Sequence, residues 1–205
     1  MKKINSLPAR VLLSWMFLGG AVARAEDPKY PDGLSAQVPV IQRVSQAAPY
    51  TVPAGKNLYI VNLAGSNHRC GVARLNCYLT ASGASNLLNP FLGEPNNPII
   101  LGPGAVVAST SPAIAFDING FLVAAQVVPV VKDLVPGASY TVPSGMNLHL
   151  LRLGVSLSAI SPPNLTVGGV GVSVSTAEPV PVAGGQTVVN SGDSWVTMIA
   201  YLKPQ

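Results

Sequence analysis

The sequence predicts an all-β protein in which one strand-forming module occurs twice. Short runs of β-branched and other apolar residues, bounded by Pro, Gly, Asn and Ser, recur at intervals typical of a β-sandwich or barrel. The 20 glycines and 19 prolines interrupt almost every window that could form a helix. An internal repeat completes the pattern, because residues 38–63 align without a gap with residues 128–153 and are identical at 12 of 26 positions.

The first 25 residues have the pattern of a secretory signal peptide. A basic start, an apolar stretch and a cleavage motif of small residues follow one another: Lys2, Lys3 and Arg10, then 11–22, then Ala23-Arg24-Ala25. A membrane anchor is disfavoured, because a span needs about 20 apolar residues and this run is shorter. We therefore expect an exported protein whose mature chain begins at Glu26 with a flexible segment, 26–37, and contains no membrane span.

The repeat divides the rest of the chain into a first copy, 38–127, and a second copy, 128–205. Its strongest element is Tyr-Thr-Val-Pro-x-Gly, which occurs at 50–55 and again at 140–145. Proline lacks the N–H that a strand ladder needs, so the proline of each motif should end a short strand. We expect it to occupy position i+1 of a type I turn, with the glycine at i+3.

Apolar runs between turn residues predict the individual strands. In the first copy they are 38–44, 57–63, 75–80, 99–101, 105–110, 113–118 and 121–131; in the second they are 147–153, 166–174, 187–190 and 195–202. Several are apolar on both faces, which is typical of central strands in a two-layer sandwich.

Three motifs follow one another in the first copy: Tyr-Thr-Val-Pro-x-Gly-x-x-Leu at 50–58, Pro-Gly-x-x-Val at 103–107 and Gly-Phe-Leu-Val at 120–123. This succession resembles the jelly-roll or β-sandwich modules of many secreted bacterial and phage-appendage proteins. The motifs consist of turn and core residues, so the resemblance implies an architecture rather than a ligand. It implies two tandem copies of a jelly-roll-like antiparallel β-sandwich, and a homo-oligomer or a surface assembly as the form in which they act.

Cys70 and Cys77 lie in a part of the first copy that the second copy lacks. Export to an oxidising compartment favours a disulfide between them, which would close a hairpin. A metal site with the neighbouring His68 is the alternative, but it would need further ligands that the nearby sequence does not supply. Because this hairpin distinguishes the copies, His68 and Arg69 are candidate ligand-facing residues, together with Tyr78.

The charge of the expected mature chain argues against a nucleic-acid partner. Four of the 12 Lys and Arg residues fall within the first 25 residues, whereas all eight acidic residues follow them, so the net charge falls from +4 to zero. No basic stripe with interleaved aromatic residues remains to follow a phosphate backbone. Weak charge repulsion instead favours self-association.

No group of residues has a pattern that predicts catalysis. Asp117 and Asp193 are the best-placed carboxylates for a glycosidase, and both stand in contexts typical of turns. His149 aligns with Tyr59 in a strand, which favours a role on a sheet face. The Gly-x-Ser-x-Gly elbow and the His-x-His pair of cupin-type metal barrels do not occur. We expect no enzyme, no cofactor and no metal site.

Three interpretations of function remain. The first is an exported structural component of a cell-surface or secreted assembly. The second is a module that binds carbohydrate or another surface ligand through exposed aromatic residues such as Tyr78, Trp195 or Tyr201, although Tyr201 aligns with Phe121 and also suits a core position. The third is a secreted hydrolase that would use Asp117 and Asp193.

Overall fold

The computed structural model describes residues 27–65, 79–81, 84–88, 97–112, 114–155, 164–172 and 178–205. The expected signal peptide, and the disulfide expected between Cys70 and Cys77, lie outside these ranges. No helix within them is long and apolar enough to cross a membrane.

The described part of the chain is all-β, and its strands pair antiparallel throughout. Its strands are β1 (Val38–Ser45), β2 (Tyr50–Thr51), β3 (Lys56–Gly65), β4 (Leu79–Ala81), β5 (Ala84–Leu88), β6 (Ile99–Leu101), β7 (Val106–Ser109), β8 (Ala115–Ala124), β9 (Val128–Leu134), β10 (Ser139–Thr141), β11 (Met146–Val155), β12 (Leu165–Val167), β13 (Val170–Val172), β14 (Val180–Val182), β15 (Thr187–Asn190) and β16 (Val196–Pro204).

The strands form four-stranded sheets in two matched sets. Strands β1 to β8 form sheet I, with order β1-β8-β3-β6, and sheet II, with order β2-β7-β4-β5. Strands β9 to β16 form sheet III, with order β9-β16-β11-β14, and sheet IV, with order β10-β15-β12-β13. The second set repeats the strand order of the first, so the sequence repeat corresponds to a repeat of topology. We call β1 to β8 the first half and β9 to β16 the second half.

Each half has an apolar core to which both of its sheets contribute. In the first half, Phe116 of sheet I and Val107 of sheet II belong to one buried cluster. In the second half, Met198 of sheet III and Val188 of sheet IV do the same. Each such fully buried side chain contributes about 1.5–3 kcal/mol of hydrophobic free energy, so the packing of sheet on sheet stabilises both halves.

The repeated Pro-x-Gly element is a turn, but not of the expected type. The N–H of Lys56 donates to the carbonyl of Pro53 at 3.3 Å, and Gly55 has a φ of 68°. Pro53 therefore stands at position i and the glycine at i+2, where a positive φ defines a type II turn. The second half repeats this turn at 143–146, with Gly145 at a φ of 77°. The prediction of a type I turn with proline at i+1 is wrong.

The prediction of one continuous strand over 121–131 is also wrong, because the structure divides this range between β8 and β9. Between the two strands, the N–H groups of Gln126 and Val127 donate to the carboxylate of Asp32 at 2.6 and 2.9 Å. These groups are therefore unavailable to a neighbouring strand, and the ladder stops.

Other strand predictions agree with the structure more closely. The predicted strands 99–101 and 187–190 coincide with β6 and β15. The range 166–174 contains a hairpin instead of one strand, since Gly168 and Gly169 both have positive φ, 58° and 82°, and connect β12 to β13. The predicted strand 75–80 lies partly outside the described residues, which include its end in β4.

A β-bulge occurs at the same place in each half. The register between β3 and β8 shifts between Ile60 and Asn62, and the register between β11 and β16 shifts between Leu150 and Arg152. A bulge adds one residue to a strand and redirects the side chains around it. Opposite the first bulge lies Gly120, where a Cβ atom would overlap the backbone of the facing strand.

Candidate functional site

The two halves meet at a junction where a sheet face of the second half covers a sheet edge of the first half. Strands β9 and β16 of sheet III contact β5 and β6, which are edge strands of sheets II and I, and β11 also contacts β5. Ile199 of β16 belongs to the core cluster of the first half, and Val131 of β9 packs against that cluster. Covering edge strands in this way protects them from pairing with other strands.

Aromatic side chains line the junction. Tyr59, Leu151 and Tyr201 are buried in one cluster, and Tyr30 of the N-terminal segment packs against it. The ring centroids of Tyr30 and Tyr59 are 5.7 Å apart. The hydroxyl of Tyr201 donates to the carbonyl of Pro28 at 2.9 Å. The N-terminal segment therefore contacts both halves.

A pair of parallel rings recurs in each half. Tyr59 and Phe121 stack at a centroid distance of 5.2 Å, and His149 and Tyr201, at the equivalent positions, stack at 4.7 Å. His149 therefore lies on a sheet face, as its alignment with Tyr59 predicts. Burial and the nearby Lys203 lower the pKa of His149, so its ring is neutral at physiological pH.

A buried carboxylate, that of Asp32, contacts Tyr59 of the junction cluster and is 4% exposed. Its Oδ2 accepts hydrogen bonds from the hydroxyl of Tyr59 at 2.6 Å and from Nδ2 of Asn57 at 2.8 Å. Its Oδ1 accepts from the N–H groups of Gln126 and Val127. A carboxylate has about four accepting positions, so these donors satisfy it. We call Asp32 with these four partners the Asp32 clamp.

A local turn places Asp32 in the clamp. The N–H of Gly33 donates to the carbonyl of Tyr30 at 2.8 Å, and Gly33 has a φ of 75°. Pro31 occupies position i+1 of this turn, for which proline is preorganised. The expectation that 26–37 is flexible is therefore wrong at this turn, where Pro31 and Asp32 are buried. The Tyr-Pro-Asp-Gly motif is the sequence signal that could have indicated it.

The clamp positions chain segments and leaves little capacity for acid–base chemistry. Burial, followed by the hydrogen bond to Asp32 and its charge, raises the pKa of Tyr59 well above its usual value. The Tyr59 hydroxyl therefore stays protonated and keeps donating to the carboxylate. Asn57 also donates to the carbonyl of Val127 at 3.0 Å. The clamp thus joins the N-terminal segment, β3 and the connection between the halves.

A groove of about 300 Å³ runs beside the junction. It is lined by the turn at 101–105 and by Pro129 and Val131 of β9. None of these lining residues is titratable, so the groove offers apolar contacts and backbone groups only.

The two candidate catalytic carboxylates stand apart from the clamp and the groove. Asp117 lies within β8 and not in a turn as expected, and it forms an exposed, two-pronged ion pair with Arg43 at 2.9 and 3.2 Å. Asp193 is exposed in a turn that Asn190 organises by accepting the N–H of Gly192 at 3.1 Å. Neither environment is that of a catalytic acid held in an apolar pocket.

The candidate ligand-facing residues divide between described and undescribed parts of the chain. Trp195 is 42% exposed immediately before β16. Tyr201 is 2% exposed and belongs to the junction, as its alignment with Phe121 indicates. The remaining candidates lie outside the described residues: His68, Arg69, Cys70, Cys77 and Tyr78.

An apolar surface remains uncovered on the outer face of sheet I. Ile41 of β1 is 83% exposed, and Val61 at the bulge is 36% exposed. Pro39 is also exposed, and Asn119 of β8 is the register partner of Ile41. We call Pro39, Ile41, Val61 and Asn119 the β1 face. Large exposed aliphatic side chains grouped on one face are typical of interaction surfaces.

Within the described ranges, no group of three or more His, Cys, Asp or Glu side chains could hold a metal ion. The chain matches no protein-family model, no curated protein and no solved structure. The junction, the clamp and the β1 face are therefore the features of the described residues that bear on function.

Proposed function

We propose that this protein is an exported, non-enzymatic structural component that self-associates in a cell-surface or secreted assembly. The observation that carries the proposal is the β1 face, where Ile41 is 83% exposed on a β-strand. An apolar face of this kind on an exported protein without net charge favours association. The signal-peptide pattern of residues 1–25, with its basic start, apolar stretch and Ala-x-Ala motif, supports export.

We also propose that each half is a jelly-roll β-sandwich, arranged in tandem. The support is the nested pairing in the first half, where β1 pairs with β8, β2 with β7, β3 with β6 and β4 with β5. An antiparallel ribbon folded in this way across two sheets is the jelly-roll arrangement. The same strand order in sheets III and IV supports the second copy.

The absence of an enzymatic role is supported by how the acidic groups are used. Asp32 is satisfied by four donors, and Asp117 is paired with Arg43. Asp133 accepts a hydrogen bond from the hydroxyl of Thr197 at 2.6 Å. These three carboxylates serve the fold or the surface, so none of them supports the hydrolase interpretation.

Carbohydrate binding is the second candidate, and the exposure of Trp195 favours it. Protein sites for ligands combine apolar contact area with a few convergent polar groups. The aromatic side chains at the junction, Tyr59, Phe121 and Tyr201, pack on protein instead. Among the described residues, Trp195 therefore offers one ring rather than a platform of several, and we rank this function second.

Size-exclusion chromatography with light scattering on residues 26–205 tests the proposal. We expect a mass above that of one chain, and a glycan array without bound protein. A mass of one chain at every concentration would refute the assembly function. Glycan binding that disappears in Trp195→Ala would establish the second candidate instead. Mass spectrometry of the exported protein should give an N-terminus at Glu26.

A further inference from the structure

We propose that the contact between the two halves recurs between molecules, so that the β1 face of one chain packs on the β13–β14 edge of a second copy. This inference rests on the proposed assembly function and specifies its geometry. The occupant of the β1 face is therefore another molecule of the same protein.

The junction within the chain is heterologous, since a face of the second half meets an edge of the first half. Because both halves have the same strand order, each contains a version of both surfaces. The junction uses the sheet III face, the β5–β6 edge and the part of the sheet I face that carries Tyr59 and Phe121. It leaves the β1 face and the β13–β14 edge without a strand partner among the described residues.

The exposed residues of the β1 face are equivalent to residues that the junction uses. Val131, which packs on the core of the first half, corresponds to Ile41 at the sequence offset of 90. Leu151, which is 1% exposed in the junction cluster, corresponds to Val61, which is 36% exposed. The β1 face of the first half is therefore apolar like the junction face of the second half, but no sheet edge in the described part of the chain covers it.

The β13–β14 edge is likewise the exposed counterpart of the β5–β6 edge, which the junction covers. Ile100 of β6 is fully buried at the junction, and its counterpart Pro181 of β14 is exposed. Val170 of β13 is 71% exposed. A Cβ at Gly102 would lie 3.5 Å from Pro129, an ordinary contact distance, so Ala183 at the equivalent turn can be accommodated by the same packing.

Two differences make the contact between molecules weaker than the one within the chain. Asn119 stands where Ile199 enters the core of the first half, so the centre of the β1 face is more polar. Tyr30 packs over Phe121 and narrows the available face. We therefore expect reversible association rather than a permanent dimer.

The geometry also fixes how many partners a molecule has. Each chain presents one face and one edge, and a heterologous contact of this kind produces open chains or closed rings. An isologous dimer, in which the same patch meets itself, would need only one of the two surfaces.

Two charged substitutions distinguish the heterologous contact from an isologous one. Ile41→Arg places a cation on the β1 face, and Pro181→Arg places one on the β13–β14 edge. Val106→Arg is the matched control, because Val106 is an exposed apolar residue, at 42%, on a different sheet. If Pro181→Arg melts below the wild type, Val170→Arg replaces it as the edge variant.

Light scattering between about 10 μM and about 1 mM covers the range of weak specific contacts. Each arginine variant alone should have the mass of one chain, with the association constant lowered about 30-fold or more. An equimolar mixture of the two should form a dimer, since one chain keeps its edge and the other keeps its face. Val106→Arg should assemble like the wild type.

Three outcomes would overturn the inference in different ways. Assembly that neither arginine variant weakens would refute the proposed contact and leave the assembly function standing. One arginine variant that becomes monomeric while the other still dimerises would point to an isologous contact through a single surface. A wild-type chain that never exceeds the mass of one chain would refute the assembly function itself.

Discussion

Removing the Asp32 carboxylate is expected to destabilise the protein strongly, although Asp32 lies outside every β-strand. In Asp32→Ala, the N–H groups of Gln126 and Val127 lose their acceptor in a region where Val127 is 5% exposed. Asn57 keeps its bond to the Val127 carbonyl, and Tyr59 can still accept the N–H of residue 32. The loss is therefore concentrated in the connection between the halves.

The hydrogen bonds of the clamp determine how far Asp32→Ala lowers the free energy of unfolding. A hydrogen bond to a charged group contributes about 1.5–3 kcal/mol, and a buried donor left unpaired costs about 1–3 kcal/mol. The substitution also removes the cost of burying a charge, which offsets part of this loss. The two N–H groups left unpaired set most of the remaining loss, and we expect Asp32→Ala to lower the free energy of unfolding by about 2–4 kcal/mol. That is a large part of the stability of a typical domain, about 5–15 kcal/mol.

Urea denaturation at pH 7 measures this loss. Circular dichroism reports on the sheets, and the fluorescence of Trp195, the one tryptophan beyond residue 25, reports on the second half. The midpoint should fall while the m-value stays constant. Asp193→Ala removes an exposed acid and should change the stability by less than about 0.5 kcal/mol. A cost below about 1 kcal/mol for Asp32→Ala would refute the argument that the clamp stabilises the connection.

Three further predictions follow from the junction and the bulge. Gly120→Ala should lower the free energy of unfolding by about 3 kcal/mol in thermal and urea melts, because its Cβ would overlap the carbonyl of Tyr59. Gly102→Ala is the control and should be close to neutral, because its Cβ would meet only the Pro129 side chain. Equal effects of the two substitutions would contradict the close approach at Gly120. Because the pKa of Tyr59 is raised, the stability that its hydroxyl contributes is present below pH 10 and is lost as the pH rises above that value. Tyr59→Phe should therefore show a shallower decline of stability between pH 9 and 11 than the wild type. An unchanged slope would argue against the raised pKa. Because the pKa of His149 is lowered from 6.5, the free energy of unfolding should decrease as the pH falls below that value. His149→Phe retains a ring that can stack on Tyr201 and should make this decrease smaller. The same decrease in both proteins would show that His149 does not cause it.

The sequence predicts the β architecture because the repeated features act locally. The Pro-x-Gly elements at 50–55 and 140–145 are turns in both halves, and each leads into a long central strand. The error in turn type arises because proline is compatible with position i as well as i+1, and the two are distinguished by the hydrogen bond to the proline carbonyl and by the φ of the glycine.

The boundary between β8 and β9 could not be predicted, because it depends on a distant residue. Asp32 accepts the N–H of Gln126 across a separation of 94 residues along the chain. Gln126 and Pro129 interrupt the apolar run 121–131, but neither residue reveals that a distant carboxylate ends the ladder at 126–127. The burial of Asp32 is hidden for the same reason, since its partners belong to β3 and to the connection between the halves.

Asp117 illustrates a different source of error. The following Asn119-Gly120 pair is typical of a tight turn, yet both residues lie in the middle of β8. Gly120 stands there because the facing strand at the bulge approaches too closely for a Cβ. The β1 face could not be identified from sequence either, since exposure of Ile41 depends on β1 being an edge strand without a covering layer.

Sedimentation of the chain 26–205 as a function of concentration tests the central claim most directly. The claim is that the protein associates through a heterologous contact that repeats its own internal junction. It predicts a weight-average mass that rises with concentration beyond that of a dimer for the wild type, or that reaches a ring of three or more chains, while Ile41→Arg stays at one chain. A wild-type mass that remains at one chain, or one that levels off at two, would contradict the claim.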